Sequence, residues 1–431
     1  MLYHHDVSGC LAETIGASGL GAGELAALLQ RTQPALDAIA KKRYKDGEAL
    51  LALPGRRDDL AALKPVADEF RRFEHVLILG TGGSSLGGQT LYALVDLGFG
   101  PPPGIPQLHF MDNIDPTTFT SLLGRFDFAR TGIIAISKSG GTAETLTQFA
   151  ILLDKLRQSG RVLGEHCLVL TEPTDNPLRR LADREKIRRL DHDTEIGGRF
   201  SALSIVGLLP ALIAGLDIEA VRSGALSVLD ATANAKTPRD AAPALGGAIG
   251  FGLSAHRKIG TTVLFPYVDR LAHFGLWYRQ LWAESLGKEG KGTTPIRAMG
   301  TVDQHSQVQL YLDGPRDKMF TLLVLDQAGQ GQTVAAELGR QDPALSYLAG
   351  RTMGDLLEAE QRATGDTLIR HGRPTRIMRL TRLDEAGLGA LFMHFILETL
   401  IAADLLGLSP FGQPAVEEGK VLARRYLGEM K

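Results

Sequence analysis

The chain has little cysteine: two thiols, Cys10 and Cys167, in 431 residues. Two isolated cysteines cannot build a disulfide framework, a CxxC redox motif or a zinc finger. A single bridge stays open, but reduced thiols in a cytoplasmic setting are the expectation. Charge of one sign is also lacking. Lys and Arg number 47 against 49 Asp and Glu, a formal net charge of −2. No basic excess points to nucleic acid or anionic lipid as the main partner, although a balanced total is compatible with a local basic pocket for a small anion. Clean apolar runs of spanning length are missing too. The most apolar stretch, Phe200–Leu216, contains Ser201, Ser204 and Pro210 and reads as a buried helix rather than a membrane span. The opening MLYHHDVSGC has no cationic start followed by an apolar run, so no secretory signal is expected. GxxxxGK(S/T) and HExxH are absent, which disfavours a nucleotide P-loop and a helix-borne zinc site. No metal and no cofactor is expected.

Glycine is the abundant residue, 50 of 431, against an average of about 7%. Much of it sits in short clusters at the ends of apolar runs, where α/β proteins place ligand loops. With 44% apolar and 22% charged residues the chain is globular, and at about 150 residues per domain two large α/β domains fit its length. Short apolar runs at His75–Leu79, Leu108–Met111, Gly132–Ile136 and Cys167–Leu170 alternate with helical stretches, the pattern of parallel βαβ units. The alternation resumes at Thr262–Phe265, Lys318–Val324 and Arg376–Leu380. The fold class predicted is α/β, with two doubly wound α/β/α sandwiches on parallel sheets and helical extensions at both ends. The boundaries are 1–60 for an N-terminal helical extension, 61–230 and 231–408 for the two domains, and 409–431 for a C-terminal helix. The small, polar segment around Ala231–Pro243 marks the junction.

Five local patterns and a C-terminal spacing carry chemistry. Ser137-Lys-Ser-Gly-Gly-Thr142 lies between a strand and a helix. Unpaired N–H groups at the helix start, two glycines that let the backbone close, and the hydroxyls of Ser137, Ser139 and Thr142 suit a phosphate monoester. The plainer reading is a Ser/Gly turn with a cap. Gly80-Thr-Gly-Gly83-Ser84-Ser-Leu-Gly87 also joins strand to helix, but Ser85 occupies the third glycine position of GxGxxG, so the dinucleotide fingerprint fails. Gln280, Glu284 and Lys288, spaced i, i+4 and i+8, share one helix face. They read as a base beside a ligand hook or, more plainly, as a solvated face with a Glu–Lys pair. Arg199, flanked by Gly197 and Gly198, suits an oxyanion or an interhelical ion pair. His305 sits in a turn and on its own is weak evidence for catalysis. Gln413, Glu417 and Lys420 fall on one face of a terminal helix, which by itself is solvated surface.

Together these segments resemble the glucose-6-phosphate isomerase (phosphoglucose isomerase) family, in family order from about residue 75 to 420. GTGGSSLG is similar to its GxGGSxLG loop and SKSGGTAET to its phosphate loop. GGRFSALSIVGLLP, QLWAESLGK and GTVDQHSQVQLYLDGP resemble its arginine, glutamate and histidine segments, and Gln413 and Lys420 keep its C-terminal spacing. Any one match is weak; six in one order overturn the plainer readings. Departures are Thr81 where Ile is frequent, no tryptophan after Gln413, and a brief N-terminal part.

The resemblance implies reversible isomerisation of glucose 6-phosphate and fructose 6-phosphate. Ser137, Lys138, Ser139 and Thr142 would grip the phosphate, helped by Gly83, Ser84 and Gln280, with Gln413 at the site. His305, assisted by Lys420, would open the sugar ring. Glu284 would carry a proton between C2 and C1, and Arg199 would stabilise the enediolate. A homodimer is implied, with His305 lent by the neighbouring subunit. Two alternatives stay open: an isomerase that also takes mannose 6-phosphate, and a non-catalytic phosphosugar-binding regulator.

Overall fold

The computed structural model describes residues 2–42, 44 and 46–430. Two five-stranded sheets form its frame. The first runs β3 (Gln107–Met111), β2 (His75–Leu79), β4 (Thr131–Ile136), β5 (Cys167–Thr171) and β6 (Arg188–Asp191), all parallel. Its middle strands are continuous apolar runs, HVLIL, TGIIAI and CLVLT, as strands covered on both faces must be. The order reverses between β2 and β4, so the loops leaving these neighbouring strands open a crevice at their carboxyl ends.

The second sheet runs β1 (Tyr3–Asp6), β10 (Thr375–Leu380), β9 (Lys318–Leu325), β7 (Thr261–Pro266) and β8 (Thr294–Arg297). Here the sequence reading needs correction. The expected helical extension over 1–60 begins with a strand, and β1 pairs antiparallel with β10, Tyr3 opposite Leu380. Residues 22–31 follow as a helix whose Leu25, Leu28 and Leu29 bury against Ile249 and Leu253 of helix Ala242–Arg257. The N-terminal segment is therefore built into the second α/β layer. β6 and β8 were also unexpected. All three unforeseen strands, YHHD, RRLD and TPIR, lie at sheet edges, where polar and charged residues replace the apolar run. At the junction, helix Ile218–Ala233 continues past residue 230, and the break before helix Ala242–Arg257 falls at 234–241.

Helices shared by both sheets form one large core. At its centre lies helix Glu385–Leu406, long and apolar enough to cross a membrane yet 94% buried over its most apolar window, which identifies a core helix. The Phe200–Leu216 stretch is split by Ser204, whose hydroxyl accepts from Val206 N–H and caps helix Ile205–Ile213. The C-terminal residues run as an irregular strap from 407 to 413 before helix Glu417–Glu429.

Candidate active site

The loop after β4 leads into helix Ala143–Gln158, whose cap residue Thr142 makes no side-chain cap bond. Asp115, Asn176 and Asp217, by contrast, cap their own helices. The Thr142 hydroxyl instead lies 2.9 Å from Ser137 Oγ. The first-turn N–H groups of this helix thus lack a capping acceptor, and two hydroxyls stand beside them, the donor set an anion requires. Gly140 has φ +62°, and a Cβ there would lie 1.8 Å from Asn176 Oδ1, so the loop admits only glycine at this point. Ser139 is exposed at the loop's tip. Lys138 turns away: its ammonium donates to Thr194 O at 2.8 Å and pairs with Glu172 at 3.4 Å. Its charge is compensated within the protein.

The loop after β2 connects this cradle to the rest of the site. A Cβ on Gly83 would stand 2.1 Å from Gly198 C, so the turn Gly82–Ser84 packs backbone to backbone against the segment that carries Arg199. The Ser201 hydroxyl donates to Gly83 O at 3.0 Å and locks the contact. The Gln280 amide lies over Gly82, its Nε2 2.7 Å from where a Cβ would be.

Arg199 is 3% exposed and donates in several directions at once. Its Nε reaches Ser285 Oγ at 2.8 Å, its Nη1 reaches Glu284 Oε2 at 3.1 Å and Gln413 Oε1 at 3.0 Å, and its Nη2 reaches Gly412 O at 3.2 Å and Pro410 O. Burial pulls the guanidinium below its ordinary value, and the Glu284 carboxylate opposes that shift. The other oxygen of Glu284, Oε1, accepts from Gln280 Nε2 at 3.0 Å. Gln280 Oε1 is buried without a partner among the described residues, an acceptor left for a ligand hydroxyl or water. Glu284 itself keeps 31% of its side chain open. A carboxylate fixed by two donors yet open to solvent, one helical turn from an amide, can exchange protons with a bound molecule.

Two expected participants stay outside this cluster. His305 is exposed on the turn after Val302–Gln304. Lys420 lies on the exposed terminal helix and donates to Glu417 at 2.6 Å. Gln413 and Lys420 do not share a helix face, because Gln413 precedes the helix and is drawn to Arg199. The Glu284–Lys288 pair of the plainer reading does not form either. Lys288 donates to Ser409 O at 2.6 Å and Phe411 O at 2.8 Å, pinning the C-terminal strap over Arg199. Phe411 wedges against Phe200 and Tyr44, with ring centroids 5.4 and 6.5 Å apart. The sequence reading missed Ser285, Trp277 (whose Nε1 donates to Arg199 O at 3.2 Å) and Phe411. A serine directly after the candidate base was the one available signal.

The family profile described as phosphoglucose isomerase matches residues 64–431. A glucose-6-phosphate isomerase of Rubrobacter xylanophilus is 36% identical, covering 93% of this chain and 94% of its own length. One of Thermus thermophilus is 35% identical, covering 93% and 96%. Among solved structures, a hypothetical protein of Thermus thermophilus superposes with TM-score 0.87 at 31% identity over 99% of both chains. A glucose-6-phosphate isomerase of Chlamydia trachomatis shares the fold, with TM-score 0.76 at 20% identity over 94% of this chain and 86% of that one.

Proposed function

The chain belongs to the phosphoglucose isomerase family, and from that premise we propose that it interconverts D-glucose 6-phosphate and D-fructose 6-phosphate through an enediolate. The observation that carries this reading is Glu284, held between Gln280 and buried Arg199 at 3.0 and 3.1 Å beside the turn that follows β2. Ser137, Ser139, Thr142 and the uncapped helix start hold the phosphate, with Gly83 and Ser84 lining its approach. Lys138 braces the loop through Thr194 and Glu172. Glu284 removes the proton from C2 of the open-chain aldose and delivers it to C1, so one carboxylate is base and then acid. The Arg199 guanidinium stabilises the negative charge that develops on the enediolate oxygen, and Gln413 keeps that guanidinium in place. A phosphosugar regulator would need the phosphate cradle but not a carboxylate poised in this way.

Ring opening falls to His305 with Lys420, supplied across a homodimer interface. Support comes from exposure: His305 has no side-chain partner among the described residues, and helix Glu417–Glu429 buries none of its residues while Val421, Leu427 and Met430 beside it are more than 60% exposed. A second copy of the chain would cover them. The buried free thiols of Cys10 and Cys167 fit a cytoplasmic home.

The test is a coupled dehydrogenase assay of fructose 6-phosphate conversion, run beside mannose 6-phosphate and beside Glu284→Gln. Rapid formation of glucose 6-phosphate, slow or no turnover of mannose 6-phosphate and a folded, inactive variant support the reading. Phosphosugar binding without turnover by the parent would overturn it.

A further inference from the structure

A cationic cavity lies beside the second sheet, apart from the site just described. It has a volume of about 180 Å³ and is bordered by Ile259, Lys318 and Pro374, at the amino-terminal ends of β7, β9 and β10. None of its lining residues is among those gathered around Glu284 and Arg199. Arg257, Arg316, Lys318 and Arg373 line the cavity with Ser18 and Gly372, and no Asp or Glu is among the lining residues.

Two of these cations are compensated by acids just outside. Arg257 is held by Glu24 at 2.6 and 3.1 Å and by Gly19 O at 3.0 Å. Lys318 is held by Asp317 at 2.5 Å. The other two are not. Arg373 is 3% exposed; its Nη2 donates to the carbonyls of Leu312 and Gly314, and its Nε is buried with no partner among the described residues. Arg316 is exposed and has no hydrogen bond or ion pair among the described residues. Burial and the nearby Arg316 charge pull Arg373 below its ordinary value, while Asp313 and Asp317 oppose the shift. A buried guanidinium next to a second unpaired one is unfavourable unless an anion joins them.

The space for that anion is kept open by Gly372. It has φ +67°, and a Cβ there would sit 3.5 Å from both Arg316 Nη1 and Ser18 Oγ. The Ser18 hydroxyl makes no hydrogen bond among the described residues. Guanidinium forks with a hydroxyl and an ammonium match the oxygens of a tetrahedral phosphate. We propose that this cavity binds a small phosphate-bearing anion, separately from the isomerisation site.

The experiment titrates the full-length protein by calorimetry with inorganic phosphate, and separately with glycerol 2-phosphate, at low chloride. The wild type is expected to bind two equivalents. Thr142→Ala, which weakens the catalytic cradle, retains the second. Arg316→Glu, on an exposed turn, weakens the second at least tenfold while turnover in phosphate-free buffer stays within twofold. The two ligands distinguish free phosphate from a monoester as the better fit. A single equivalent in the wild type that Thr142→Ala abolishes, phosphate binding unchanged in Arg316→Glu, or saturation only at concentrations where chloride competes equally would overturn the proposal. Loss of the Thr142-dependent site alone bears on the catalytic reading and leaves this one standing.

Discussion

Two buried arginines pair with glutamates among the described residues, and the two pairs are built for opposite ends. Arg376 and Glu398 join β10 to the core helix Glu385–Leu406 in a bidentate contact at 2.8 and 2.9 Å, with both side chains no more than 2% exposed. His394 adds a third contact to Glu398 at 3.0 Å and receives Tyr3 of β1 at 2.6 Å. Both carboxylate oxygens accept from donors within the core, and water is shut out. Arg199 touches Glu284 through one nitrogen only, and divides its remaining donors among Ser285, Gln413 and the strap carbonyls. The same residue types give a sealed clamp in one place and an accessible carboxylate in the other. What separates them is how many donors the carboxylate faces and whether solvent reaches it, not the presence of a buried arginine.

Glu284→Gln keeps the shape and the Arg199 contact but removes the proton carrier, so kcat should fall by about 10²–10⁴-fold with the urea midpoint almost unchanged. Glu398→Gln should do the reverse. It leaves the Arg376 charge buried without its partner, for a loss of about 3–5 kcal/mol in urea unfolding, with the isomerase activity of the protein that remains folded close to wild type. If either variant showed the other's behaviour, the distinction between clamp and base would fail. Arg199→Lys sharpens it further. Lysine cannot reach Ser285, Glu284, Gln413 and the strap together, and kcat should drop about 10²–10³-fold, more than KM rises.

A smaller effect tests where the second half of the site comes from. Mixing inactive Glu284→Gln with inactive His305→Ala and allowing subunits to exchange should restore about a quarter of wild-type activity if each site draws on both chains of a twofold dimer. No recovery after verified exchange would place His305 in its own chain's site. The smallest effect is a pH slope. Burial raises the Glu398 carboxyl, but the Arg376 guanidinium and His394 outweigh it and bring it down to about 2. Burial likewise holds His394 below its ordinary 6.5, against the pull of Glu398. Both groups bind fewer protons folded than unfolded. Their stabilisation is present above the unfolded values and is lost as pH falls, through the histidine range first and then from about 4.5 toward 2 for the carboxylate. Thermal melts taken at successively lower pH should show a falling Tm, with a flatter slope in Glu398→Gln.

The central strands were legible because burial on both faces demands apolar runs such as Thr131–Ile136, and periodicity exposes them. β1, β6 and β8 were not, since an edge strand needs no such run. The Ser137–Thr142 loop, Arg199, Gln280 and Glu284 stood out as local patterns whose order matched a family, and the roles proposed for them rest on that match. The contacts that set their geometry were not. Lys288 on the carbonyls of Ser409 and Phe411, or Ser285 on Arg199, join residues far apart in the chain, and no local spacing encodes them. The Arg376–Glu398–His394 clamp left one clue: a histidine and a glutamate four residues apart in a largely apolar helix of 22 residues. Polar residues on such a helix must find partners, but the sequence does not name them.

The pairing of Tyr3 with Leu380 also sets a timetable. β1 is made long before its neighbour β10, and at about 5–20 residues per second it waits roughly twenty to eighty seconds for it. During this interval the first sheet, whose strands all lie between residues 75 and 191, can already close. The second sheet cannot gain this edge, nor His394 its tyrosine, until β10 and helix Glu385–Leu406 have been made. In a nascent chain paused before residue 375, the residues of β1 lack their partner strand, and it is at this stage that a chaperone, rather than the finished fold, would have to shield them.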